Sequence, residues 1–148
     1  MSSIGKRVIY RGPADYGDNK PLTVEGVAVA AVLPGTILKQ TASGLDANDV
    51  ASTVFGQQFI IADKDQMRSK SVDDAWTISE NMVALRARPG ENYNALVATA
   101  QTLIKGDALS RNGAGLLKKA VTDGTEEIVG YADEAITTSG TTLVSITV

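Results

Sequence analysis

Residues 103–148 read LIKGDALSRNGAGLLKKAVTDGTEEIVGYADEAITTSGTTLVSITV, and this stretch decides the fold class. Asn112-Gly113 is a dipeptide that tolerates positive φ at both central positions of a tight hairpin turn. A second turn is predicted at Thr122–Gly124. The segments Glu127–Ala132 and Leu143–Val148 are rich in β-branched residues, and apolar residues alternate in the second of them. The stretch therefore predicts a series of short β-strands separated by glycine-containing turns.

The preceding chain shows the same character. Its predicted strands are Val24–Leu33, Thr36–Gln40, Gln58–Ala62, Ala75–Arg88 and Tyr93–Ile104. The last of these also fits one helical face, but its Thr and Val content favours a strand. One short helix is expected over Asp46–Val54, with Asp46 as the N-cap. The fold class expected is mainly β, a small barrel-like domain with short helices.

An internal repeat is indicated by glycine and leucine residues at a constant spacing. The residues Gly35, Leu38, Gly44 and Leu45 each precede by 71 positions the residues Gly106, Leu109, Gly115 and Leu116. The spacing predicts two similar units, at about 24–88 and 93–148, that share one core within a single β-rich domain over 23–148. Chance matches in a chain rich in Gly and Ala are the alternative.

Residues 1–22 are polar and are interrupted by Gly and Pro, which predicts an N-terminal arm. Within the arm lies a short basic and apolar patch made of Lys6, Arg7, Val8, Ile9, Tyr10 and Arg11. One interpretation is a frayed terminus. The other is an arm that becomes ordered on a neighbouring subunit.

The composition excludes several kinds of site. The chain of 148 residues contains neither Cys nor His, so disulfides, thiolate metal sites and the commonest general base are absent. A net charge of −3 gives no general attraction for nucleic acid or for an anionic membrane. The apolar stretch Val27–Leu33 is too short to cross a bilayer, and no secretory segment is expected. We expect a protein made in a cytoplasm.

Four further groups of residues were candidates for chemistry. The carboxylates Asp63, Asp65, Asp73 and Asp74 fit no EF-hand spacing, and a solvated loop is favoured over a calcium site. Gly113-Ala114-Gly115 lacks the third glycine of a dinucleotide fingerprint. The small positive patch formed by Lys105, Arg111, Lys118 and Lys119 lacks aromatic residues for base stacking.

The last candidate is the single tryptophan, Trp76, which is predicted to anchor either the core or an interface. No catalytic, cofactor-binding or metal-binding constellation is found, so a structural or interaction protein is favoured over an enzyme.

The order of these elements resembles a known family. The pattern Lys105–Leu109, Asn112-Gly113, Ile128–Ala132 and a closing alternating strand is similar to the small β-domain of capsid decoration (cement) proteins of tailed phages. Among them is the lambda-type head-stabilising family with its β-tulip fold. Val27–Leu38, VAVAAVLPGTIL, resembles the early strand-turn-strand of these proteins. The chain departs from the lambda type in its length and in the additional residues Asp46–Asp74.

The resemblance implies a virion protein without enzymatic activity or cofactor that binds the outer surface of the expanded capsid. Its partner would be the major capsid protein, with neither nucleic acid nor membrane involved, and it would form a homo-oligomer, a trimer being favoured over a dimer. The arm patch would then supply the capsid contacts, and Trp76 is the interface-anchor candidate. The alternatives are a self-assembling tail or fibre-associated β-protein, and a hydrolase or sugar-binding module with a cleft around Trp76 and the Asp63–Asp74 loop.

Overall fold

The computed structural model describes residues 5–12 and 22–148, and this part of the chain is built from strands and turns without a helix. Its strands are β1 (Tyr10–Gly12), β2 (Leu22–Val27), β3 (Ile37–Thr41), β4 (Gly44–Ala47), β5 (Ile60–Ala62), β6 (Asn81–Arg86), β7 (Asn92–Val97), β8 (Thr102–Leu103), β9 (Ala108–Arg111), β10 (Leu117–Lys119), β11 (Gly130–Ala132), β12 (Ile136–Thr137) and β13 (Thr142–Thr147). The mainly β prediction is confirmed. With no helix among the described residues, none crosses a membrane.

The second half of the chain forms a closed five-stranded barrel, called here the C-terminal barrel. Its strands follow the order β7-β10-β9-β11-β13, and β13 returns to pair with β7. The closing pair is antiparallel and runs from Thr142 opposite Val97 to Thr147 opposite Asn92. At the other side of β7, Leu117 pairs with Val97 in parallel. The barrel-like prediction is thus confirmed for this half.

The first half forms a five-stranded sheet in the order β2-β6-β5-β3-β4, called here the N-terminal sheet. Its two outer strands approach each other at one end. There Ala28 and Leu45 form a parallel bridge, and the backbone N–H of Val29 donates to the carbonyl oxygen of Leu45 over 3.0 Å.

The two halves have the same connectivity. We number the five strands of each sheet in chain order, which leaves out β8 and β12 in the second half. In each sheet the first strand pairs with the fifth, the fifth with the fourth, the fourth with the second, and the second with the third. A lateral antiparallel pair also recurs, as Val32 with Trp76 and as Leu103 with Ile136. The predicted spacing of 71 relates the turn glycines Gly35 and Gly106. The division of the chain into an arm and a single domain of two similar units stays a prediction.

Apolar side chains form two clusters. One lies within the N-terminal sheet and includes Trp76 and Leu45. The larger fills the C-terminal barrel but also takes in Ile37, Ile61 and Leu85 from the N-terminal sheet. The two halves therefore bury apolar surface against each other, which stabilises their relative position.

Two local predictions were wrong. The helix expected over Asp46–Val54 is absent, because Asp46 pairs with Lys39 across the β3–β4 hairpin and the chain turns after it. The Asn112-Gly113 turn does join two antiparallel strands, but through the longer loop 112–116. The reason is that the Asn112 side-chain oxygen accepts from the backbone N–H groups of Ala114 and Leu116, which holds a wider turn.

Candidate interaction surfaces

The described part of the arm, Gly5–Gly12, lies on the C-terminal barrel of its own chain. Tyr10 pairs with Tyr93 of β7, and the backbone N–H of Asn94 donates to the Ile9 carbonyl oxygen over 2.7 Å. The Asn94 side-chain amide donates to the carbonyl oxygen of Val8 over 2.8 Å, and the Ile9 side chain is buried in the larger core cluster. One edge of β1 is therefore already paired within the molecule.

Two of the three basic side chains in the described part of the arm form ion pairs with the barrel. Lys6 contacts Glu134 at 2.7 Å, and Arg11 contacts Asp133 at 3.3 Å. A hydrogen bond from Lys105 and one from Arg11 lower the pKa of Asp133, against the effect of its burial. The prediction placed capsid contacts on all six patch residues. The side chains of Arg7 and Val8 are exposed, whereas Ile9 is not.

A groove runs between the arm and the Lys64–Asp73 loop, with a volume of about 480 Å³. The Lys64 ammonium group donates to the carbonyl oxygen of Arg7 over 2.9 Å, which ties the loop to the arm. Lys70 lines the same groove, with Asp73 as its one carboxylate. The groove is therefore predominantly cationic.

Trp76 lies in the core of the N-terminal sheet. It is 4% exposed, and its indole N–H donates to the Asp63 carbonyl oxygen over 2.7 Å. So little exposed area favours the core anchor over the interface anchor among the two predicted roles. A cavity of about 590 Å³ adjoins it, lined by Thr23, Asn81, Val83 and the Asp63–Arg68 segment.

Three of the four candidate carboxylates accept hydrogen bonds within their own loop. Burial raises the pKa of Asp63, while its oxygens accept from the Lys64 backbone N–H and the Gln66 amide. Asp65 accepts from the backbone N–H of Arg68, and Asp74 accepts from that of Ser71, which lowers the pKa of Asp74. Within residues 5–12 and 22–148, no three carboxylates are grouped as metal ligands.

Sequence reasoning missed a buried polar cluster at the junction of the two halves. Glu126 accepts hydrogen bonds from the hydroxyls of Ser52 and Ser110, over 2.8 and 2.9 Å, and from the Val121 N–H. Lys118 also contacts this carboxylate. Burial acts to raise the pKa of Glu126, but Lys118 and the other donors outweigh it and lower the pKa to about 2.

Arg111 is the second member of this cluster. Its guanidinium group is buried and donates to the carbonyl oxygens of Val50 and Val54, over 3.3 and 2.7 Å. The same group contacts Glu127 at 2.7 Å. Because Lys105, Lys118 and Lys119 also lie beside carboxylates, the positive patch predicted from the sequence is neutralised by ion pairs.

Backbone contacts complete the junction. Leu96 of β7 donates its N–H to the Gly35 carbonyl oxygen over 2.9 Å, and Ile37 donates to the carbonyl oxygen of Gly115 over 2.8 Å. A Cβ on Gly35 would lie 2.5 Å from the Leu143 side chain of β13 and 3.3 Å from the Leu96 nitrogen of β7, so the turn approaches the barrel more closely than any other residue type permits.

Comparison with known proteins finds a solved structure with a similar fold. No family model matches the chain, and no curated protein matches it. The fold is similar to the crystal structure of the head fiber gp8.5 N base in bacteriophage phi29. The TM-score is 0.55 with 12% sequence identity, over 87% of this chain and 94% of that one.

At this identity the likeness is one of architecture. It extends over most of both chains, so it includes the N-terminal sheet as well as the C-terminal barrel. The resemblance to lambda-type decoration proteins in particular stays a prediction.

Proposed function

We propose that this chain is a structural protein of a phage virion that binds the outer surface of the expanded capsid. There it would stabilise contacts between subunits of the major capsid protein. The observation that carries the proposal is the shared fold with a phage head fiber base over most of both chains. The resemblance of residues 27–38 and 105–132 to decoration proteins supports it independently.

The expected mode of action is binding without catalysis. Capsid expansion creates the site, and a protein that binds only the expanded shell stabilises that state by mass action. Because a shell repeats its binding site many times, a small free energy at each site adds up over the whole particle. Neither a cofactor nor nucleic acid nor a membrane takes part in this proposal.

The exposed side of the arm is the proposed capsid contact. Arg7 and Val8 are exposed, while Ile9 fixes the segment by its burial. The adjoining cationic groove offers a complementary surface for carboxylates of the shell. Electrostatic complementarity of this kind directs the encounter and fixes the register of binding.

The test is co-sedimentation with undecorated shells of the phage that encodes the chain, in the expanded and unexpanded forms. Saturable binding to expanded shells alone, with raised resistance of the particle to heat, is expected. Deleting residues 1–22 is a poor test, because it removes the buried Ile9 along with the contacts. The sharper variants are Arg7→Glu and Val8→Asp, which should weaken binding.

Val54→Asp is the matched control, because Val54 is 46% exposed and Val8 is 45% exposed. Equal binding to both shells would contradict the role of expansion. The control should bind as tightly as the wild-type chain. If Arg7→Glu and Val8→Asp also bind expanded shells as tightly as the wild-type chain, the arm is not part of the contact.

The second candidate is a self-assembling tail or fibre-associated protein, which the head fiber neighbour favours. It predicts rings, tubes or fibre bases of the purified protein in electron micrographs, together with no binding to either shell.

A further inference from the structure

The turn Leu33–Gly35 of the N-terminal sheet is inserted against strand β7 of the C-terminal barrel. Pro34 and Gly35 are buried there, and the Gly35 carbonyl oxygen accepts from the Leu96 N–H. Leu33 packs against the larger core cluster. The contact joins two different surfaces: a turn from one half and a strand edge from the other.

The C-terminal barrel has an equivalent turn at Ile104–Gly106. Gly35 donates to the Ala62 carbonyl oxygen and Gly106 to that of Ala132, both over 2.8 Å. The φ angles of the two glycines are 90° and 94°. The two turns therefore share one backbone conformation.

Their surroundings differ sharply. Ile104 is 62% exposed, and nothing lies within 4 Å of a Cβ placed on Gly106. Lys105, at the position of Pro34, is exposed as well. A turn that is inserted in one half of the molecule is thus left uncovered in the other, with an apolar side chain at its start.

The N-terminal sheet has the matching strand edge. Ala28 forms a parallel pair with Leu45, and in the barrel Val97 forms a parallel pair with Leu117. Ala28 is therefore equivalent to Val97, and the preceding residue, Val27, is equivalent to Leu96. Leu96 is 1% exposed under the Leu33–Gly35 turn, whereas Val27 is 40% exposed.

The N–H groups of this edge are also open, whereas the Val27 carbonyl oxygen lies against Gly44 of β4. Val83 of β6 lies opposite Glu25, but its carbonyl oxygen accepts from the N–H of Asp63, in the loop after β5. Because the hydrogen-bonding groups of Val83 are directed to that side, the backbone N–H and C=O groups of Glu25 point away from β6. Two residues further on, Val27 has the same orientation. Among the described residues, β2 pairs with β6 and bridges to Leu45 through Ala28, and neither pairing supplies an acceptor for the N–H groups of Glu25 and Val27. An unpaired strand edge is a template for another chain.

We propose that the Ile104–Gly106 turn of one copy docks on the β2 edge at Val27 of a second copy. The contact would reproduce between molecules the junction that Gly35 and Leu96 make within one molecule. A head-to-tail contact between two different surfaces generates a ring if the rotation closes and a filament if it does not. The inference concerns contacts between copies and does not depend on attachment to a capsid.

Cysteine crosslinking tests the contact directly, because the natural chain has no cysteine. A chain carrying both Val27→Cys and Lys105→Cys should form a ladder of disulfide-linked multimers under mild oxidation. Each single variant should stay uncrosslinked. A chain with Val8→Cys and Lys105→Cys is the matched control, because Val8 is as exposed as Val27 but lies away from the edge.

Each other result overturns the proposal. Dimers of a single variant would indicate a symmetric contact in place of a head-to-tail one. A monomer without a ladder, or one closed by an internal disulfide, would show that the two surfaces do not meet between copies.

Sedimentation of the unmodified chain provides the second measurement. The assembly should dissociate to monomers on Val27→Asp and on Ile104→Asp, while Val8→Asp leaves its mass unchanged. An assembly of either kind, a ring or a filament, would support the proposed head-to-tail contact. A wild-type chain that is monomeric at high concentration contradicts it, and circular dichroism of the variants separates loss of assembly from loss of folding.

Discussion

The Gly35 carbonyl oxygen lies 2.9 Å from the backbone nitrogen of Leu96, and this hydrogen bond joins the two halves of the chain. Both residues are buried, and the space beside Gly35 is filled by the Leu143 side chain. The junction therefore depends on a residue without a side chain at position 35.

The substitution Gly35→Ala should lower the free energy of unfolding by about 2–4 kcal/mol, because it adds overpacking to the strain of a positive φ. Gly106→Ala is the matched control, since its φ is 94° and its Cβ position is empty. It should cost about 1 kcal/mol. Urea unfolding of dilute protein measures both values, and equal losses would show that the close approach to β7 contributes nothing.

Glu126→Gln should remove part of the acid sensitivity of the fold. The pKa of Glu126 is lowered in the folded chain to about 2, below its unfolded value of 4.5. The carboxylate thus stabilises the fold above pH 4.5, by about 1–3 kcal/mol, and this contribution is lost as the pH falls toward 2.

Unfolding free energies at pH 7 and pH 3 measure this effect as the difference between wild type and variant. Other carboxylates with lowered pKa values, such as Glu80 and Asp133, change the stability of wild type and variant equally. Their contributions therefore cancel in the difference between the two proteins. The variant should be less stable than wild type at pH 7, and the gap should narrow at pH 3. A gap independent of pH would contradict the ionised state of Glu126.

Arg111→Ala should lower the free energy of unfolding by about 3–5 kcal/mol, because it leaves Glu127 and two carbonyl groups without their donor. Lys119→Ala is the control, since the pair of Lys119 with Asp107 is far more exposed and should contribute less than about 1 kcal/mol. Combining Arg111→Ala with Glu127→Ala should cost less than the sum of the single changes. Additive losses would argue against a coupled pair.

Ile9→Ala tests whether the arm is part of the folded molecule in solution. The Ile9 side chain is buried in the core, so its truncation should cost about 2–4 kcal/mol. Val8→Ala, at the exposed neighbouring position, should change the stability by less than about 0.5 kcal/mol. If the two variants unfold at the same urea concentration, the arm does not contribute to the core.

The strand content could be predicted from the sequence because alternation and β-branched residues are local signals. Leu143–Val148 shows this well, since nearly the whole segment became β13. Asp46 shows the limit: it has the chemistry of an N-cap, yet its pairing with Lys39 across a hairpin overrides that local preference. Trp76 could be placed in either a core or an interface, because its size is informative and its neighbours are not.

The candidate surfaces were harder to predict. The arm patch was found from its composition, but its attachment to β7 through Ile9 and Asn94 depends on a strand more than 80 residues away. Arg111 and Glu126 carried no local signal of burial. A charged residue next to a turn is usually solvated, whereas here the Ser52–Val54 segment of the other half contacts both side chains.

The class of the fold and the places where the chain turns follow from local signals in the sequence. Glycines such as Gly35 and Gly106 permit positive φ, and alternating apolar residues favour strands, and both effects act within a few residues. Which of these two equivalent turns is covered depends on how the two halves pack together. Burial is a property of the space around a residue, so two turns of the same conformation differ once a strand edge lies beside one of them alone.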